Sequence, residues 1–291
     1  MIRKIGFIGT GVMGRSMIRN LKKNGFEVQI YSRTKEKAEE LIAEGIPWKD
    51  SAGECARGQD AVITIVGYPQ DVEEVYFSEN GILENAAPGT VLIDMTTSSP
   101  VLAQRICRAA KDKGMEALDA PVSGGDSGAK AGTLSIMVGG DENAMEKVRP
   151  VFEAMGTTII YEGPAGSGQH TKMANQIALA GALAGACEAI AYAEKAGLNV
   201  EKMFSSISIG AAGSWQLTNN GPKIMKKDYA PGFYIKHFIK DMRIACEESD
   251  GFGADLPVLR DVLHMFEKLD AEGSGDLGTQ SLIKYYEKST V

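Results

Sequence analysis

Up to Glu162 the chain alternates compact apolar runs with polar stretches that carry an apolar residue every three or four positions. The runs Ile5-Gly6-Phe7-Ile8, Ala61-Val62-Ile63-Thr64-Ile65-Val66 and Thr90-Val91-Leu92-Ile93-Asp94 lack the in-out alternation of a half-exposed strand, so they read as strands covered on both faces. Residues 27–31, 116–119, 134–138 and 158–161 add further strands. Between them the segment with Met17, Ile18 and Leu21, and residues 35–44, 69–76 and 100–113, have the helical period; Gly25 and Gly114 end two of these helices. Strands alternating with helices of this length imply right-handed crossovers and a doubly wound, mainly parallel α/β sheet.

The strand pattern then stops. From Gln169 the periodicity is helical: one long element to about Lys195, then 200–209, 238–249, 257–268 and 280–288. The run Glu162-Gly163-Pro164-Ala165-Gly166 is the expected boundary, which gives domains 1–163 and 164–291 joined by a long interdomain helix. The most apolar stretch, 177–187, is rich in Ala and Gly, and Glu188 interrupts it short of the ~20 residues that span a bilayer. It is expected to be a central helix covered on most sides, with close neighbours.

The formal charge of -7 offers nucleic acid or an anionic membrane no general attraction, so an anionic ligand needs a local pocket. Cys55, Cys107, Cys187 and Cys246 form no C-x-x-C pair, and the N-terminus enters a strand without an apolar leader. Both features favour a cytoplasmic protein. His170, His237 and His264 lack partners at ligand spacing, so no metal is expected. The acidic turn 270–276 resembles a calcium loop but has Ser281 where the closing Glu belongs.

Candidate chemistry begins at Gly9-Thr10-Gly11-Val12-Met13-Gly14, a G-x-G-x-x-G between a strand and a helix. The first glycine permits the turn, the second lets backbone approach a pyrophosphate, and the third lets helix and strand pack closely. At the end of the second strand an NAD-binding fold usually carries an acid for the ribose 2'-hydroxyl. This chain has Ser32-Arg33-Thr34, a guanidinium and two hydroxyls suited to a 2'-phosphate, which favours NADP(H) with NAD(H) possible. The plainer reading makes Arg33 a solvated charge and Ser32 a helix cap.

Asp119-Ala120-Pro121-Val122-Ser123-Gly124-Gly125 follows a strand, at the sheet end where ligands bind. The Ser123 hydroxyl and the Gly124 and Gly125 N–H groups form either a carboxylate cradle or an ordinary glycine-rich turn. Lys172, Asn175 and Gln176 share one helix face in an otherwise apolar helix. A partly desolvated lysine near a helix start exchanges protons readily near neutral pH; the alternative is a first-turn lysine reaching into water. Lys240-Asp241 is either an exposed charge pair or a lysine directed at a ligand.

Taken together, these blocks, with Gly132-Thr133-Leu134, Gly166 to Asn175 and Leu277-Gly278-Thr279-Gln280-Ser281, resemble the β-hydroxyacid dehydrogenase family over nearly the whole chain. That family includes 3-hydroxyisobutyrate dehydrogenase and tartronate semialdehyde reductase. The resemblance implies that Lys172 is the catalytic acid/base and that Asn175 helps hold substrate. It assigns Ser123, Gly124 and Gly125 to the substrate carboxylate, and puts Gln176 and Trp215 on the substrate side. It also implies cofactor contacts from Val66, Gly67, Thr97 and Lys240, and a homodimer or homotetramer assembled through the helical domain. The expected activity is hydride transfer between NADP(H) and a small 3-hydroxy acid in a cleft between the domains. Alternatives are a tartronate semialdehyde reductase, a glyoxylate or succinic semialdehyde reductase, and an NADPH-binding redox sensor without turnover.

Overall fold

The computed structural model describes residues 2–288 and divides into two compact units, Met1–Lys172 and Met173–Val291. The first unit is an eight-stranded sheet in the order β2-β1-β3-β4-β5-β7-β6, with β8 paired to β7. The strands are β1 (Lys4–Ile8), β2 (Glu27–Tyr31), β3 (Ala61–Thr64), β4 (Val91–Asp94), β5 (Glu116–Asp119), β6 (Val122–Ser123), β7 (Leu134–Gly139) and β8 (Gly156–Gly163). The first five run parallel, as the apolar runs require. The sheet then reverses, because β7 is antiparallel to β5 and β6, while β8 runs parallel to β7.

Successive residues of each central strand enter different cores, so both faces of the sheet are covered. Ile5, Phe7, Ala61, Ile63, Val91, Ile93 and Leu118 pack on one side with Met17, Leu21 and Phe152. Ile8, Val62, Leu92 and Ala117 pack on the other with Val72, Tyr76 and Ile106. Helices also lie where the hydrophobic pattern signals none, among them Gly125–Ala131 and Glu142–Glu153. The second begins at Asp141, whose carboxylate accepts the Ala144 N–H, and contains Pro150. An interior proline reads as a breaker, but burial of Met145, Val148, Val151 and Phe152 outweighs it. Residues 35–44 form a 3-10 turn, Lys35–Ala38, followed by the short helix Glu39–Ala43.

The long helix runs Ser167–Lys195, straight through Glu188. It therefore has the length and apolarity of a membrane span, with mean hydropathy 1.4 over its most apolar window. Only 44% of that window is buried, so the expectation of a helix covered on most sides does not hold within one chain. Gly185 is exposed, and a Cβ there would meet nothing within 4 Å; at Gly181 it would meet only Val258. The buried side, with Ala180, Leu183, Cys187 and Ile190, joins the core of the second unit around Phe238, Met242 and Phe266. The remaining helices of that unit include Val200–Ile207, Ile235–Gly251, Pro257–Leu269 and Ile283–Lys288.

Asp94, at the carboxyl end of β4, is buried and accepts hydrogen bonds from the Thr64 hydroxyl at 2.8 Å and the Thr96 N–H at 3.1 Å. Burial pushes its carboxyl up from the ordinary 3.8 to about 6, against those hydrogen bonds. A raised carboxyl pKa makes the folded state bind the proton first, so this group favours folding fully below 3.8, and its contribution is lost as the pH rises through 6. Asp94→Asn removes that term. The variant's stability relative to the parent should rise by roughly 2–3 kcal/mol between pH 4 and 7, measured by urea unfolding at each pH.

Candidate active site

The glycine loop has the form that phosphate binding demands. Gly9 has φ +107° and donates its N–H to Tyr31 O, and a Cβ on it would overlap the Ile65 carbonyl. A Cβ on Gly14 would overlap the Gly9 carbonyl, so the third glycine sets how closely the helix Val12–Lys23 approaches the strand. At Gly11, the N-terminal cap of that helix, a Cβ would meet nothing within 4 Å. This is the open side on which a pyrophosphate would lie. No acid stands in the helix's first turn, Val12 is exposed, and Met13 packs partly on the core. The Thr10 hydroxyl is buried without a hydrogen-bond partner among the described residues, an orphan that a bound phosphate would satisfy. The residues therefore fit a dinucleotide.

Around that loop, the Val66 N–H donates to the Thr96 hydroxyl at 3.0 Å, which ties the ends of β3 and β4 together. Gly67 and Thr97 are partly exposed at the same strand ends. Arg33 is exposed beyond β2, and its guanidinium donates to Asp71 at 2.7 Å. Ser32 does not cap the following turn, because Thr34 occupies that position and makes no side-chain cap.

Ser123 ends β6, paired with Ser135 of β7, so this part of the block is a short strand rather than a loop. Gly124 follows with φ +130°, a conformation a side chain would strain, and turns the chain so that Gly124 and Gly125 are exposed. Lys172 joins this group. It is 7% exposed, and its Nζ donates to the Val122 carbonyl at 2.8 Å, which excludes a first-turn lysine reaching into water.

Two residues hold that lysine in place. Asp119, at the end of β5, accepts the Gly166 N–H on one oxygen and the Gln169 N–H on the other, at 2.8 and 2.9 Å. The first turn of the long helix thus starts on a carboxylate delivered by the sheet. Burial pushes this carboxyl up to about 6, opposed by the same N–H groups, so it is ionised at neutral pH. The buried Gln169 amide accepts the Ser98 N–H at 2.9 Å and donates to the Thr96 carbonyl at 2.7 Å. Lys172 lies three residues further along the same helix.

In the second unit, Asn175 donates to the Gln176 side-chain oxygen at 2.8 Å, and Gln176 donates to Asp241 at 2.5 Å. The other Asp241 oxygen is 2.8 Å from Lys240 Nζ, with side chains 3% and 11% exposed. Lys240-Asp241 is therefore an enclosed pair in mid-helix, not an exposed one at a helix start. Trp215 stands apart in character, 59% exposed at the start of the π-helical turn Gln216–Asn220. The sequence reading missed Gln169 and Asp241 as supports. For Asp241 the signal was an acid beside Phe238, Ile239 and Met242; Gln169, among Ser167, Gly168, His170 and Thr171, gave no comparable signal.

Residues 4–163 match the NAD-binding domain of 6-phosphogluconate dehydrogenase, and residues 166–286 match the NAD-binding domain of NADP-dependent 3-hydroxyisobutyrate dehydrogenase. The chain belongs to the β-hydroxyacid dehydrogenase family. It is 54% identical to an uncharacterised oxidoreductase, YkwC, of Bacillus subtilis, over 99% of this chain and 100% of that one. It is 47% identical to a probable mitochondrial 3-hydroxyisobutyrate dehydrogenase-like protein of Arabidopsis thaliana, over 98% of this chain and 85% of that one. A Mycobacterium tuberculosis 3-hydroxyisobutyrate dehydrogenase solved with L-serine superposes with TM-score 0.89 and 34% identity, covering 98% of this chain and 99% of that one. As a β-hydroxyacid dehydrogenase the protein is an oxidoreductase with a nicotinamide cofactor, and the resemblance read from the sequence is borne out at this level.

Truncating Gln169 leaves a buried donor and a buried acceptor unpaired. Gln169→Ala should lower unfolding free energy by roughly 2–6 kcal/mol in urea titration, at about 1–3 kcal/mol for each of the two orphaned groups.

Proposed function

We propose that this enzyme transfers hydride reversibly between NADP(H) and a short 3-hydroxy acid such as 3-hydroxyisobutyrate, with Lys172 as general acid/base. The observation that carries this reading is the enclosed Lys172 amine, 2.8 Å from the carbonyl of Val122, the residue that precedes Ser123-Gly124-Gly125.

Gly9 through Gly14 with Ser32, Arg33, Thr34, Val66, Gly67, Thr97 and Lys240 would hold the cofactor, whose nicotinamide would supply or accept the hydride. The Ser123 hydroxyl and the N–H groups of Gly124 and Gly125 hold the substrate carboxylate, which fixes the hydroxyl-bearing carbon relative to Lys172. In oxidation the neutral Lys172 amine takes the hydroxyl proton as the carbon–oxygen double bond forms. In reduction the Lys172 ammonium returns that proton to the oxygen. Asn175, one helical turn further, orients the hydroxyl or Lys172. Its hydrogen bond to Gln176 limits rotation of the amide. Gln176 and Trp215 complete the substrate side.

A second reading, reduction of tartronate semialdehyde or of a related short semialdehyde, rests on the resemblance of Asn175-Gln176 to the tartronate semialdehyde reductases of the family and uses the same groups in the opposite direction. The exposed side of the long helix, with Tyr192 72% exposed, supports a homodimer or homotetramer. Its free cysteines support a cytoplasmic location.

Lys172→Ala should lower kcat by roughly 10²- to 10⁴-fold, the range for loss of a positioned proton donor, while NADPH binding persists. Near-normal turnover, followed by NAD(P)H absorbance with 3-hydroxyisobutyrate, D-glycerate, 4-hydroxybutyrate, glycolate and L-serine, would overturn the assignment. Cofactor binding without turnover of any of these would favour a sensor. Arg33→Ala should weaken NADPH by roughly tenfold or more and NADH far less, measured by fluorescence titration.

A further inference from the structure

The acid missing from Ser32-Arg33-Thr34 is brought to the same place by the fold, from 38 residues further along the chain. Arg33 Nη1 is 2.7 Å from one Asp71 oxygen and 4.0 Å from Glu74 Oε2. Asp71 is anchored. As the third residue of the helix Pro69–Phe77, it accepts the Tyr68 N–H on its second oxygen at 3.1 Å, and its side chain is 19% exposed against 73% for Arg33. Gly67 leaves room for it, since a Cβ there would come 3.0 Å from that same oxygen.

A fixed carboxylate and a second one nearby thus face a single guanidinium on an exposed side chain. A 2'-phosphate must draw Arg33 away from Asp71 and then lie beside the fixed anion. A 2'-hydroxyl carries no charge to be repelled and can donate to a carboxylate.

We propose that Asp71 is a specificity-determining residue for the cofactor. It reduces the advantage that Arg33 gives NADP(H) and keeps NAD(H) usable. This rests on the reading of Arg33 as the partner of the 2'-phosphate. Asp71→Asn retains an oxygen for the Tyr68 N–H, so the helix start is preserved while the charge is removed.

The test is isothermal titration of the full-length parent, Asp71→Asn and Arg33→Ala with adenosine 2',5'-bisphosphate and with 5'-AMP, beside kcat/KM for NADP+ and NAD+. Asp71→Asn should bind the bisphosphate roughly two- to fivefold more tightly, the range for an exposed charge pair, with no gain for 5'-AMP. The NADP+/NAD+ ratio of kcat/KM should rise by the same factor, and the gain should shrink as salt is raised. An unchanged ratio would overturn the role of Asp71. So would weaker bisphosphate binding, which would instead make Asp71 a brace that presents Arg33 to the phosphate. Arg33→Ala separates the two layers. If it leaves bisphosphate affinity unchanged, the reading of Arg33 fails and the proposal fails with it. If it weakens that affinity while Asp71→Asn has no effect, only the role of Asp71 falls.

Discussion

The Asp119 carboxylate, at the end of β5, accepts the N–H groups of Gly166 and Gln169, and through this contact the helix that carries Lys172 takes its start from the sheet. A helix start leaves N–H groups without intrahelical partners, and burying them uncompensated is costly. Asp119 meets two of those donors at once, and it stands two residues before the backbone that leads into Ser123. Lys172 and the Ser123-Gly124-Gly125 segment are therefore positioned from the same strand. Gln169 adds a clamp to the loop after β4, where Thr96 also receives the Val66 N–H. Errors in these few bonds would move Lys172 relative to everything it is meant to serve.

Charge is handled differently in the two units. In the first, the Gly124-Gly125 turn and Arg33 are exposed, and the glycine loop is open at Gly11. These suit anionic ligands in a chain whose overall charge is negative. In the second, Asp241 sits between Gln176 and Lys240 with almost no exposure. Such a pair gains little net stability over an apolar core of the same shape, but losing one member leaves a buried charge behind. Its effect is orientational, because it holds the amide chain that ends at Asn175.

The glycine loop was legible in full because its three glycines serve purely local purposes: a turn, an open side and a close approach. The sheet was legible for a similar reason. Strands covered on both faces are apolar over most of their length, with Thr64 and Asp94 paired at their carboxyl ends, so β1, β3 and β4 stand out in the sequence. The reversal at β7 and the short β6 did not stand out, because direction depends on hydrogen-bond partners rather than on hydrophobicity. The helix Glu142–Glu153 was hidden by Pro150, whose local cost is offset by tertiary burial.

By itself the sequence determined the dinucleotide loop, the change from strand to helix near residue 163 and the pairing of Lys172 with Asn175 on one helix face. All three follow from periodicity and local stereochemistry. Only the tertiary structure decided that Lys172 is enclosed, that Asp119 and Gln169 hold the helix start, and that an acid faces Arg33 after all. Those depend on residues far apart in the chain meeting across the fold, as Asp71 meets Arg33 and Val122 meets Lys172. No local spacing rule carries that information, because burial and charge pairing are set by the packing of whole elements.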